Sequence, residues 1–184
     1  SWGVDISFLF TPSFGISWLM DNLHLSVFRT EKQYYGDSSV WRTPFLPPML
    51  ILGFYLLITS KVNENKKVLT LFFIVLVFSL YFSLGPSLKF MVLKPSGESD
   101  LSPIIPNSYH LLSTGSGWIS EHLPGFNVMR ASYRWIALTF FAMWCLIVLL
   151  FSLRKNHISS PVLIFLVILL YIPSFDNHSS GGSY

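Results

Sequence analysis

Residues 136–153, with the sequence IALTFFAMWCLIVLLFSL, form an uninterrupted apolar run, and residues 123–135, LPGFNVMRASYRW, stand directly before it. A run of this length is enough for a helix to cross a bilayer core of about 30 Å at a rise of about 1.5 Å per residue. The sequence therefore predicts a transmembrane helix over residues 135–153, opened by a segment that carries two arginines.

Arg130 and Arg134 stand four residues apart in this opening segment. If the helix begins near Asn127, both lie on one face of its first turns, where like charges repel by about 0.2–0.5 kcal/mol. Cations at a helix N-terminus also oppose the helix dipole, whereas the free N–H groups there stabilise an anion. Two interpretations stay open: the arginines bind a phosphate or pyrophosphate of a lipid-linked substrate, or they extend to the phosphates of membrane lipids.

The composition is typical of an integral membrane protein. Of the 184 residues, 52% are hydrophobic and 11% are charged, whereas a soluble domain carries about 25% charged residues. The net charge of +3 is too small to indicate a nucleic-acid partner. The single cysteine, Cys145, lies inside the apolar run, so the chain holds no internal disulfide.

Three further apolar stretches predict spans over residues 44–60, 68–84 and 158–175. We therefore expect an all-α integral membrane fold with about four transmembrane helices. Lysines and arginines concentrate in the two short loops, which the positive-inside rule places in the cytoplasm. Both long segments then face the outside, and we expect short helices in them.

This interpretation divides the chain into five parts. They are an external or interfacial segment, a transmembrane hairpin, an external loop region, a second transmembrane hairpin and a flexible tail, over residues 1–43, 44–84, 85–134, 135–175 and 176–184. Pro12 and Gly15 interrupt residues 6–20, which favours a pair of surface-lying or re-entrant helices there. In the loop region we expect Trp118 and Phe126 to be packed.

Candidate site residues follow from the predicted orientation. Lys89 comes just after the second span, on the side where few positive charges are expected, and is predicted to be a third contact of the phosphate beside Arg130 and Arg134. Asp5, Tyr109 and His110 are candidates for a substrate pocket on the same side. No catalytic residue is assigned, because none of the outward acids is paired at a spacing typical of acid–base catalysis.

The sequence does not favour a metal or another cofactor. His110, Glu121 and His122 could supply metal ligands, but their spacing matches no recognised pattern, so a divalent metal is not supported. The chain has no P-loop, GxSxG, GxGxxG or HExxH motif. It also has no charge inside the predicted spans that would mark an ion pathway, which disfavours a transporter or channel.

Several short motifs occur in a familiar order. SLGP ends the second span, PNSYHLL and LPGF follow in the loop region, and RASYRW opens the third span, over residues 83–86, 106–112, 123–126 and 130–135. DISFLFTPS, over residues 5–13, precedes them. In this order they resemble motifs of the bacterial GT-C-type membrane glycosyltransferases and the related YfhO-like membrane proteins, and the resemblance covers most of residues 1–153.

The resemblance implies transfer of a sugar from a polyprenyl-phosphate-linked donor to an external glycan or lipid acceptor, at a bacterial cytoplasmic membrane. It makes the phosphate the donor's and the substrate pocket one for the donor or the acceptor. The acidic residue that these enzymes use as catalytic base lies in a first external loop, which would precede Ser1. We therefore expect the chain to be the downstream part of a longer protein, with the missing N-terminal part and membrane lipids as partners. The alternative is a non-catalytic membrane subunit whose external loops bind a partner protein or lipid headgroups.

Overall fold

Helices account for most of the structure. The computed structural model describes residues 3–36, 38–41, 45–60, 65–95, 109–123, 132–153 and 160–174. Its elements in chain order are α1 (Ile6–Phe10), α2 (Trp18–Asn22), α3 (Ser38–Trp41), α4 (Pro47–Thr59), α5 (Lys66–Ser83), β1 (Ser87–Leu88), β2 (Leu112–Ser113), α6 (Ser116–His122), a 3-10 turn (Ser132–Arg134), α7 (Trp135–Ser152) and α8 (Ser160–Leu170).

Two helices are long and apolar enough to cross a membrane, by length and composition: Lys66–Ser83 and, with the 3-10 turn included, Ser132–Ser152. α5 and α7 each have 18 residues, which corresponds to about 27 Å. Neither contains a proline. Gly85 and Pro86 follow the C-cap residue Leu84 and prevent α5 from continuing. Helices thus lie where the spans over 68–84 and 135–153 were predicted.

The other two predicted spans, 44–60 and 158–175, contain shorter helices. α4 has 13 residues, because Pro47 and Pro48 are tolerated only in its first turn, where no N–H has to be satisfied. α8 has 11 residues and ends shortly before Pro173, since the position before a proline disfavours the helical conformation. Their lengths of about 20 Å and 17 Å are below the thickness of a bilayer core.

The four longest helices pack side by side in the order α5, α7, α4 and α8. Buried apolar side chains form their shared core, among them Leu76 of α5, Ile147 of α7 and Leu56 of α4. Within this core Thr139 Oγ1 of α7 donates a hydrogen bond to Ser79 Oγ of α5 over 3.0 Å. A bond of this kind contributes about 0.5–1.5 kcal/mol and fixes how the two helices are aligned.

Most of the remaining described chain lies at one end of these helices and is termed the cap: residues 3–36, 84–95 and 109–123. Val4 N–H donates to Ser83 O at the end of α5 over 2.9 Å, and Trp18 N–H donates to Ile172 O after α8 over 2.7 Å. Parts of both long segments therefore lie at the same end, where α4 and α7 begin and α5 and α8 end.

Two glycines allow the cap to approach α5 closely. A Cβ on Gly3 would lie 2.0 Å from Leu84 O, so only glycine fits there. Gly85 has φ +71°, and its Cβ would lie 3.0 Å from Gly3 Cα and 2.8 Å from Ser132 Oγ. The start of the chain, the end of α5 and the turn before α7 thus meet at a joint that has no room for another side chain.

The cap contains only short elements in its described part. α1 and α2 form a pair of short helices around residues 6–20, and β1 pairs antiparallel with β2. Trp118 was expected to be packed, but it is 64% exposed, because α6 buries Ser116 and turns Trp118 to its opposite face. The prediction for Trp118 was wrong, and Phe126 lies outside the described residues.

Candidate functional site

Asp5 caps the N-terminus of α1 and is 2% exposed. Its Oδ1 accepts hydrogen bonds from Ser7 N–H at 2.8 Å, Ser7 Oγ at 2.6 Å and Met91 N–H at 3.1 Å, and its Oδ2 accepts from Val92 N–H at 3.0 Å. Met91 has φ +50°, in the left-handed region. The N–H groups of Met91 and Val92 therefore form a small anion-binding concavity for the carboxylate.

These contacts give Asp5 a structural role. It was predicted to line a pocket for the donor or the acceptor, but the structure encloses it between α1 and the segment after β1. A buried carboxylate is tolerated when hydrogen-bond donors surround it, and three backbone N–H groups and one hydroxyl do so here. Asp5 thus joins two parts of the cap.

Lys89 follows β1, and its side chain is fully buried, with 0% exposure. Nζ donates a hydrogen bond to Leu84 O over 3.3 Å, and it lies so close to Gly3 that a Cβ there would be 2.6 Å away. Burial lowers the pKa of Lys89 to about 8, and the carboxylate of Asp5 opposes this shift. Lys89 was predicted to contact a donor phosphate; in this structure the start of the chain covers it instead.

His110 and Tyr109 lie at the edge of this buried group. Burial and the positive charge of Lys89 lower the pKa of His110. Its Nε2 is buried and forms no hydrogen bond within the described part of the chain. Tyr109 is more exposed, and its ring lies 5.9 Å from the ring of buried Tyr35, measured between centroids.

Arg134 lies on the outside. It ends the 3-10 turn and immediately precedes α7, with φ −63° and ψ −22°. Its side chain is exposed, close in sequence to Ser132, which contacts the Gly3–Gly85 joint. Arg130 and the helix start near Asn127 lie outside the described residues, so the pairing of the two arginines stays a prediction.

The structure thus separates the predicted site residues into two groups. Lys89 interacts electrostatically with Asp5 inside the cap and with His110 at the edge of this buried group. Arg134 lies at the cap end of α7 and is open to solvent or to a ligand. The fully bonded carboxylate of Asp5 is suited to holding the cap in place, whereas an exposed guanidinium can bind an anion in a bidentate manner.

Arg29 is a buried cation that the sequence did not reveal. Its guanidinium lies 4.7 Å from the centroid of the Phe8 ring, and its nitrogens donate to Ser13 Oγ and Thr11 Oγ1, both at 2.6 Å. Burial lowers its pKa. These partners are 16–18 residues away in sequence, so no local motif indicates the contact.

Within the described ranges, no three side chains of the His, Cys, Asp and Glu types lie close enough to hold a metal ion. His122, one of the candidate ligands, stacks on Trp118 with 4.6 Å between ring centroids. Its Nδ1 lies 2.9 Å from Trp118 O, so the ring is held by its own helix.

Comparison of the chain with known protein families, with curated proteins and with solved structures finds no match.

Proposed function

We propose that the chain is the membrane-embedded, downstream part of a GT-C-type glycosyltransferase. In this proposal α4, α5, α7 and α8 lie in a bacterial cytoplasmic membrane and the cap faces outside. Arg134, together with Arg130, binds the phosphate of a polyprenyl-phosphate-linked sugar. The sugar passes to an external glycan or lipid, and the catalytic base is the acidic residue that the family carries in its first external loop, upstream of these residues.

The membrane part of the proposal is supported by the side chains that the helices leave uncovered. Ile51 of α4, Phe73 of α5, Phe141 of α7 and Phe165 of α8 are all well exposed. Soluble monomers rarely expose apolar patches beyond a few hundred Å², whereas lipid covers such a surface at no cost. The shorter α4 and α8 are compatible with a membrane if the bilayer thins locally or flanking residues complete the crossing.

The phosphate part is supported by one observation: an exposed arginine stands at the first turn of a membrane-length helix. A cation at this position is unfavourable by itself, and a bound phosphate removes the conflict. The guanidinium forms charge-assisted hydrogen bonds worth about 1.5–3 kcal/mol each, and it stabilises the negative charge that develops on the leaving phosphate. The sugar-transfer part is supported by the order of the sequence motifs.

The test measures binding of a fluorescent polyprenyl phosphate, with the uncharged polyprenol as a competitor, to the purified chain in detergent micelles. We expect Arg134→Ala to weaken binding about tenfold or more, as the loss of one charge-assisted contact requires. Arg134→Lys should weaken it less, because the ammonium keeps the charge but not the two-pronged geometry. Lys32→Ala removes an exposed cap charge and should leave binding unchanged.

Equal affinity of the polyprenyl phosphate for the unaltered chain and for Arg134→Ala would overturn the phosphate role of Arg134. Equal binding of polyprenol and polyprenyl phosphate would overturn it as well.

The second candidate, a non-catalytic subunit, is favoured by a different observation. The cap exposes Met91, Leu112 and Trp118, and exposed apolar side chains of this kind mark protein or membrane contacts. If this function is correct, Leu112→Ser and Trp118→Ser should release a co-purifying partner, while Arg134→Ala should leave polyprenyl phosphate binding unchanged.

A further inference from the structure

An apolar groove of about 370 Å³ runs between α4 and α5. Both helices pack against α7, which forms the floor of the groove through Met143 and Leu150. Leu57 lines one wall and Phe73 lines the other. The volume is within the range of about 300–1,000 Å³ that is usual for small-molecule pockets, and the shape is an open channel along the helices.

The groove exists because two residues in its lining are small. Gly53 of α4 has no side chain, and a Cβ there would lie 3.9 Å from Met143 Sδ on the floor. Thr70 of α5 is short and exposed. Larger side chains at these two positions would fill the space between the helices.

The groove ends near two lysines at the end of the helices opposite the cap. Lys66 stands three and four residues before Leu69 and Thr70, so it lies on the face of α5 that lines the groove. Lys67 is its neighbour, and both are exposed. Asn65, the N-cap of α5, makes no side-chain capping bond, so the first N–H groups of α5 add to the positive potential there.

An apolar channel that opens beside two ammonium groups fits a molecule with an apolar chain and an anionic head. We propose that the groove binds an acyl chain of an anionic phospholipid, whose phosphate is held by Lys66 and Lys67. The inference requires the membrane embedding proposed above, and it names a second lipid site at the opposite membrane face from Arg134. Each lysine ammonium attracts the phosphate as a point charge. The acyl chain of the lipid lies in the groove against α7.

The test uses the purified chain in phosphatidylcholine vesicles that contain a trace of a phospholipid with a photoreactive diazirine on its acyl chain. The probe carries either a phosphatidylglycerol or a phosphatidylcholine head. We expect the phosphatidylglycerol probe to label the peptide around Met143 several-fold more than the phosphatidylcholine probe. Lys66→Gln with Lys67→Gln should remove this preference, whereas Lys32→Gln on the cap should keep it.

Gly53→Leu and, from the other wall, Thr70→Phe should reduce labelling around Met143 by both probes, because they fill the groove. Thr70 is exposed, so its variant tests the groove even if Gly53→Leu disturbs folding. Equal labelling by the two probes, or a preference that survives the lysine substitutions, would overturn the lipid site.

Labelling at the exposed Ile51 and Phe165 reports embedding separately. If these residues are labelled without any headgroup preference around Met143, the lipid site is wrong and the membrane proposal stands. If neither is labelled, both proposals fall.

Discussion

Asp5 and Lys89 are both buried in the cap, but hydrogen bonds compensate their charges to different degrees. The carboxylate of Asp5 accepts hydrogen bonds from Ser7, Met91 and Val92. The ammonium of Lys89 has three protons, and the hydrogen bond described for it is a long one to Leu84 O. Since burial of an ion is costly unless donors and acceptors replace water, Lys89 is expected to destabilise the cap, whereas Asp5 stabilises it.

We predict that Lys89→Met leaves the protein as stable as the native chain or more stable at pH 7. The pKa of Lys89 is lowered from 10.5 to about 8, so folding disfavours its protonated form by about 3 kcal/mol at about 1.36 kcal/mol per unit. The unfolded state binds more protons between pH 8 and 10.5, so native stability should rise with pH across this window. The variant should lack this rise.

Thermal unfolding in detergent at pH 7 and at pH 9.5 measures both effects. Lys32→Met, which changes an exposed lysine, serves as the control and should behave like the native chain. A Lys89→Met variant that is clearly less stable at pH 7 would show that the contact with Leu84 O outweighs the cost of burial.

The sequence located Lys89 but not its surroundings. Its position after the second span followed from the hydropathy pattern, and that position is at the cap end of α5, as expected. Its burial is produced by Gly3, which is far away in sequence. A contact between such distant residues leaves no periodic signal in the chain, so a charged residue in a loop region is naturally interpreted as accessible.

At the level of elements, the helix ends followed from prolines and glycines. Pro47 and Pro48 begin α4, and Gly85 ends α5, in accordance with the conformations that these residues favour. The length of α8 was overestimated, because apolar residues continue to Ile172 although the helix ends at Leu170. Hydropathy reports what a segment can be buried in, and it does not report where a helix stops.

Gly85, at the joint between the cap and α5, should tolerate a side chain poorly, both because of its backbone conformation and because of its close neighbours. Gly85→Ala should lower the stability of the native state for two reasons. The left-handed backbone costs about 1–2 kcal/mol for a residue with a Cβ. Overpacking against Gly3 and Ser132 costs about 1–3 kcal/mol more. Gly115→Ala is the matched control, because Gly115 has φ +78° but its Cβ would lie at an ordinary 3.5 Å from Tyr81 Oη. We expect the first variant to be the less stable.

Chemical unfolding of both variants measures the difference. Equal losses of stability would show that the close approach at Gly85 contributes nothing beyond its backbone conformation.

For the whole molecule, the arrangement predicts opposite accessibility at its two ends. Lys32 lies on the cap and Asn65 lies at the far end of α5, and both are exposed. In a chain whose Cys145 is replaced by alanine, Lys32→Cys should react with a membrane-impermeant maleimide on intact cells. Asn65→Cys should react only after permeabilisation, because the lysines beside it favour the cytoplasmic side. Labelling in the reverse pattern would show that the chain has the opposite orientation, and it would rule out an external phosphate site at Arg134.

More of the fold than of the candidate site could be predicted from the sequence. Composition and apolar runs indicate helices and their positions, because both follow from local residue chemistry. The arrangement of the cap does not follow from local chemistry, since Asp5, Arg29 and Lys89 are fixed by contacts across 16–87 residues. Arg134 stays a candidate because its side chain is exposed directly before α7, and the sequence predicted a span from residue 135.

The contacts between the cap and α8 impose an order of assembly during synthesis. Ser174 Oγ donates a hydrogen bond to Asp21 Oδ2 across 153 residues of chain. Trp18 N–H likewise donates to Ile172 O, which is synthesised much later. α2, which is made long before α8, therefore reaches its final place only after α8 has been made, because non-local contacts form only after the intervening chain is made. Until α8 is complete, α2 lacks its partner, and the nascent chain exposes this side of the cap to chaperones and proteases.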